Sequence, residues 1–190
     1  MNGRRIHWPN ALTYMRVALI VPVVILTLVD TDVSSWIAFF AFGTAALTDG
    51  LDGYVARRMQ LVSTTGQLLD PLADKALVTA AMVALVVVDR FPPWAAIVIV
   101  GREVVVTTLR LVANRRGRGF PASMAGKAKT GAQLIAVLIY ILPLDAGWDP
   151  FKNTVLGLAV ALTIISGLDY VIRAPRLLGS KVPGPTGRPG

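Results

Sequence analysis

Six long apolar runs, each bounded by polar or charged residues, set the pattern of this chain, and each predicts a helix. The first begins near Pro9 and Asn10 and runs to about Val29 around the core VALIVPVVILTLV; the others cover about residues 34–57, 71–88, 93–113, 125–142 and 151–172. Each is close to the roughly 20 residues that cross a hydrocarbon layer. The first run has no convincing small-residue cleavage pattern after it and five more follow, so it reads as a retained helix rather than a signal peptide. The expectation is an all-α integral membrane protein with six transmembrane helices. Residues 1–178 form one membrane domain, without internal repeats. Residues 179–190, GSKVPGPTGRPG, read as a disordered cytoplasmic tail, being rich in Gly and Pro and lacking apolar periodicity.

Composition reinforces this picture. Of 190 residues 54% are hydrophobic and only 16% charged, against about 25% charged in soluble domains. There is no cysteine and His7 is the single histidine, which excludes disulfides, thiolate or histidine zinc sites and Ser-His triads. The net charge of +8 is placed to meet anionic lipid rather than nucleic acid. Arg4, Arg5, Arg57, Arg58, Arg115, Arg116, Arg118, Lys127, Lys129, Arg173, Arg176, Lys181 and Arg188 fall on the side of the N-terminus. Arg90 and Lys152 fall opposite, beside Asp30, Asp32, Asp89, Asp145 and Asp149. The positive-inside rule then puts both termini in the cytoplasm. Trp8, Trp36, Trp94 and Trp148 sit near span ends, where interfacial anchoring explains them.

Carboxylates are expensive near a bilayer, yet four of the eleven acidic residues lie in the stretch from Asp49 to Asp74, between two apolar runs. Asp49 and Asp52 are spaced i,i+3, and Asp70 and Asp74 i,i+4, so each pair shares a helical face. Four such charges on one point repel unless cations join them. Hard oxygen donors suit Mg²⁺, Mn²⁺ or Ca²⁺, and four can hold two ions that clamp phosphoryl oxygens. Gly53 and Gly66 leave room for a pyrophosphate near the backbone. Arg57, one turn beyond Gly53, has a guanidinium suited to phosphate. The parts fit phosphoryl transfer at the membrane surface.

The order Asp49-xx-Asp52-Gly53-xx-Ala56-Arg57, eight residues, Gly66-xxx-Asp70-xxx-Asp74 resembles the CDP-alcohol phosphotransferase signature at every fixed position. That resemblance implies transfer of a phosphatidyl group from a CDP-linked lipid to an alcohol, with release of CMP. It implies Asp49, Asp52, Asp70 and Asp74 as ligands of two divalent cations, Mg²⁺ or Mn²⁺, with Asp74 also the general base. It implies Gly53, Arg57, Ser63 and Gly66, with Asn10 and Thr13, near the CDP-lipid; Ser63 stands where many relatives have Thr. The segments PNALTYMR, GREVVVTTLR and GKAKTGAQ resemble the bacterial phosphatidylglycerophosphate synthase branch. This implies CDP-diacylglycerol and glycerol 3-phosphate as substrates, a homodimer, and a multi-pass place in a bacterial plasma membrane with the site facing the cytoplasm. The acceptor's phosphate needs cations, for which Arg102, Arg110, Lys127 and Lys129 are the candidates, with Arg173 and Arg176 behind them.

Other readings compete. Asp70 before Pro71 is a common helix start, and Arg58 is a stop-transfer charge. Arg102 and Glu103, the single glutamate, can pair within the bundle. AGKAKT lacks the glycine and hydroxyl positions of a P-loop. Inositol phosphate or phosphatidylglycerol remain alternative acceptors. A divalent-cation transporter, a reading of another class, requires acids spread through the membrane depth, whereas these gather at one level and come with glycines and an arginine.

Overall fold

The computed structural model describes residues 8–59, 66–115 and 124–179, and gives the backbone alone at residues 8–14, 16, 49–59, 66–74, 114–115, 124–127 and 173–179. Six helices follow in order: α1 (Trp8–Val29), α2 (Asp32–Met59), α3 (Gly66–Val87), α4 (Pro93–Arg115), α5 (Met124–Ile141) and α6 (Asp149–Gly179). A single 3₁₀ turn, Ala146–Trp148, precedes α6. No strand occurs among the described residues, so the protein is all-α. Of the expected tail at 179–190, Gly179 closes α6 and residues 180–190 lie outside the described residues. Two boundaries need correcting: α6 runs on to Gly179, past the expected end at residue 172, and α3 begins at Gly66, not at Pro71, which makes Asp70 a residue inside the helix rather than its cap. Gln67, Leu68 and Leu69 are good helix formers and extend the helix ahead of the proline.

Short turns with definite chemistry join the helices. Before α2, Thr31 Oγ1 accepts from the backbone N–H of Ser34 at 3.2 Å, and Ser34 Oγ accepts from that of Thr31 at 3.0 Å. This reciprocal pair is a capping box with serine in the place of the usual glutamate. At the end of α3, Arg90 N–H donates to Leu85 O at 2.9 Å and Asp89 N–H to Val86 O at 3.1 Å, the double closure of a Schellman motif. Asp89 takes the required left-handed conformation, φ 56°, as does Asp30 after α1, φ 51°; a short polar side chain tolerates it. Pro93 then opens α4, where its missing N–H costs nothing.

Arg90 ties three of these connections together. It donates through Nη1 to Asp30 Oδ1 at 3.0 Å and Ser35 Oγ at 2.8 Å, and through Nη2 to Leu142 O at 2.6 Å. The α1–α2, α3–α4 and α5–α6 connections therefore share one end of the bundle, away from residues 49–59 on α2. Arg90→Ala is expected to lower stability by about 1–2 kcal/mol, since charge-assisted bonds are lost at a partly exposed site. A thermal melt in detergent measures this; a midpoint equal to wild type counts against the clip.

The pairing of α1 with α3, and of α6 with α4 and α5, builds most of the interior. Val23, Phe42, Leu77, Met82, Leu85 and Ile99 are among its fully enclosed side chains. The outside is also apolar: Phe40, Leu47, Ile97, Leu158 and Ile172 are each 60% or more exposed. A surface of that kind suits lipid rather than water. Trp36, Trp94 and Trp148 are about half exposed, near the end that Arg90 closes. Among the described residues, one segment (Ala146–Ile172, mean hydropathy 2.1) is long and apolar enough to cross a membrane. Val17–Val29, Lys75–Val87 and Ala128–Ile141 are apolar but shorter. Arg102, Glu103 and Arg110 interrupt the apolar run of α4.

Candidate active site

The acidic motif is carried by two helices. Asp49, Asp52, Gly53 and Arg57 fall in the backbone of α2, and Gly66, Asp70 and Asp74 in that of α3, so both carboxylate spacings act along continuous helix. Ser63 lies outside the described residues, as do the side chains of the rest of the motif, of Asn10 and Thr13 on α1, of Lys127 on α5, and of Arg173 and Arg176 on α6. As a donor set, four carboxylates with no sulfur and no imidazole fit a hard divalent ion.

The residue after Asp74 opens the part of the site whose side chains are described. Lys75 Nζ lies 3.2 Å from Glu103 Oε2 and donates to Thr107 Oγ1 at 2.5 Å. Glu103 and Thr107 stand one helical turn apart on α4, so one lysine on α3 meets both. The other carboxylate oxygen of Glu103 accepts from Arg102 Nη1 at 3.1 Å and from Lys129 Nζ of α5. Side-chain exposure is 17% for Glu103, 11% for Arg102 and 4% for Lys129. At this depth one charge without the others would be strongly destabilising. Lys75, Thr79, Glu103, Lys129, Thr130 and Gln133 line a small cavity of about 50 Å³. At its edge Gln133 Nε2 donates to Thr163 Oγ1 at 2.8 Å, linking α5 to α6.

A second cluster centres on Tyr170 of α6, which is 2% exposed. The guanidinium carbons of Arg102 and Arg110 lie 5.6 and 4.9 Å from its ring centre, within cation–π range. Arg110 Nη2 also donates to the Tyr170 hydroxyl, and Arg102 Nη2 donates to Ser166 Oγ at 3.0 Å. Gly167 makes the approach possible, because a Cβ there would meet Arg102 Cγ at 3.0 Å. The Nε atoms of both arginines are buried with no acceptor among the described residues. Tyr170→Phe keeps the ring and removes the hydroxyl, and about 1–3 kcal/mol of stability should go with it. Unfolding in detergent tests this; an unchanged midpoint would show that Arg110 finds another partner at no cost.

Of the cations expected to meet an acceptor phosphate, Arg102 and Arg110 converge on Tyr170, and Arg102 and Lys129 on Glu103. Arg102 belongs to both clusters. Sequence reasoning did not single out Lys75, Ser166, Gly167 or Tyr170. A lysine directly after Asp74 at the head of an apolar segment was a usable signal, since such charges need partners. Nothing in the local pattern marks Gly167 or Tyr170, whose roles depend on α4 lying against α6.

The sequence profile of the family described as CDP-alcohol phosphatidyltransferase matches residues 6–165. The chain is 42% identical to a Bacillus subtilis (strain 168) protein named CDP-diacylglycerol--glycerol-3-phosphate 3-phosphatidyltransferase, covering 85% of this chain and 92% of that one. It is 38% identical to a probable phosphatidylglycerophosphate synthase of Mycobacterium tuberculosis (strain ATCC 25618 / H37Rv), covering 90% and 82%. A Pseudomonas fluorescens protein with the same name as the Bacillus one is 37% identical, covering 86% and 87%.

Proposed function

This chain belongs to the CDP-alcohol phosphatidyltransferase family, and we infer from that premise that it transfers the phosphatidyl group of CDP-diacylglycerol to glycerol 3-phosphate. The products are phosphatidylglycerophosphate and CMP. The observation that carries the acceptor is the convergence of Arg102 and Arg110 on Tyr170, with both buried Nε groups lacking an acceptor among the described residues. Fixed guanidinium forks of this kind suit a phosphate monoester.

In this reading Asp49, Asp52, Asp70 and Asp74 would hold two divalent cations, Mg²⁺ or Mn²⁺. Bound there, the ions supply charge neutralisation for the pyrophosphate and for the departing CMP. Asp74 takes the proton from the acceptor hydroxyl. The hydroxyl oxygen attacks the phosphorus that carries the lipid, and the bond from that phosphorus to the bridging oxygen of CMP breaks in the same displacement. Gly53, Arg57, Ser63 and Gly66, with Asn10 and Thr13, would orient the CDP-lipid. Arg102, Arg110, Lys127 and Lys129 would receive the acceptor's phosphate. The absence of cysteine favours this one-step course over a covalent intermediate.

We extend the reading to a multi-pass protein of a bacterial plasma membrane, with six spans, both termini and the site on the cytoplasmic side, and residues 1–178 as the membrane domain before a short tail. The apolar outer surface and the distribution of basic residues support it. A homodimer is proposed on family resemblance.

The deciding experiment supplies purified protein with CDP-diacylglycerol and Mg²⁺ or Mn²⁺, and measures CMP released with glycerol 3-phosphate, inositol phosphate or phosphatidylglycerol in turn. Release with glycerol 3-phosphate is expected. Release with inositol phosphate alone would keep the reaction class and replace the acceptor, and no release with any alcohol would remove the enzyme reading.

A further inference from the structure

Glu103 is the chain's single glutamate, and three helices send cations to it. Lys75 of α3 approaches one oxygen at 3.2 Å, while Arg102 of α4 and Lys129 of α5 share the other. Two of these three cations belong to the set assigned to the acceptor's phosphate, and the third directly follows Asp74 in the chain. A buried ion network is poor evidence of a stability device, because apolar residues of similar volume often serve stability equally well. The arrangement is better explained by what the carboxylate does to its cations. Lysine is a point charge on a flexible stem, and Glu103 is an anion that Lys75, Lys129 and Arg102 share. With Glu103 at the centre, their heads are held together around the small cavity that Gln133 and Thr130 also line.

We propose that Glu103 is a positioning residue for the acceptor phosphate: it holds Arg102 and Lys129 in the geometry that receives the phosphate, and through Lys75 keeps that geometry in register with Asp74. The proposal rests on the assignment of Arg102 and Lys129 to the acceptor. Glu103 touches neither substrate. Its removal therefore acts on the binding of the phosphorylated alcohol and leaves the CDP-lipid largely unaffected.

The test is steady-state kinetics of Glu103→Gln in mixed micelles, with glycerol 3-phosphate and CDP-diacylglycerol each varied at saturating levels of the other. The KM for glycerol 3-phosphate should rise about tenfold or more, as when one partner of a buried charge pair is removed. The KM for CDP-diacylglycerol should stay within about threefold, a change below the cost of a single lost contact. Glu103→Asp keeps the charge on a shorter stem and should fall between Gln and wild type; it carries the same test if the Gln variant does not fold. Equal rises in both KM values, or unchanged KM values with only a lowered melting temperature, would reduce Glu103 to a structural ion pair and overturn the proposal. The wild-type control separates the two readings. If it releases CMP only with inositol phosphate, the acceptor assignment falls, and Glu103 is judged by the KM ratio for that acceptor.

Discussion

Asp74→Asn should lower the rate of CMP release by about 10²–10⁴-fold, the range that a positioned general base contributes. Asparagine nearly preserves the size of the side chain and keeps an oxygen, but it cannot accept the proton of the acceptor hydroxyl. Binding of CDP-diacylglycerol should survive much better than turnover, because Asp49, Asp52 and Asp70 still supply three carboxylates. Equilibrium binding of the CDP-lipid, measured beside single-turnover CMP release, distinguishes the two effects. Turnover equal to wild type would remove Asp74 as the base, and parallel loss of binding and turnover would make it a ligand alone.

Removing divalent metal should have an effect at least as large. Protein treated with excess chelator and exchanged into metal-free buffer is expected to lose more than about 100-fold of its activity, since several kcal/mol of transition-state charge stabilisation are withdrawn. Mg²⁺ or Mn²⁺ should restore it. Asp49→Asn and Asp52→Asn should raise the metal concentration needed for half-maximal rate, while Arg102→Ala should raise the demand for glycerol 3-phosphate instead. Full activity after chelation, verified by elemental analysis of the sample, would count against the carboxylates of α2 and α3 as metal ligands.

Both predictions rest on residues that were legible in one dimension. The two carboxylate pairs, the glycines and Arg57 stand in fixed register over residues 49–74, and register along a helix survives whatever the helix packs against. The six helices were legible for a similar reason. Apolar runs of span length leave the backbone little choice but to satisfy its own hydrogen bonds, and the observed α1, α2, α4 and α5 begin and end within about two residues of the expected positions. Where the reading erred, a local rule was overridden. Asp70–Pro71 looks like a helix start, yet α3 is already under way there.

The sequence by itself thus determined the helical class, the metal-suited acidic motif and the family of chemistry. Each of these depends on residue type and spacing along one segment. Only the tertiary structure decided which cations keep company. It brought Lys75 and Lys129 from two other helices to Glu103, and it laid Arg102 and Arg110 against Tyr170 through the gap left by Gly167. Contacts between residues 26 to 68 positions apart depend on how helices pack side by side, and no periodicity within a single helix encodes which neighbour its buried charges will meet.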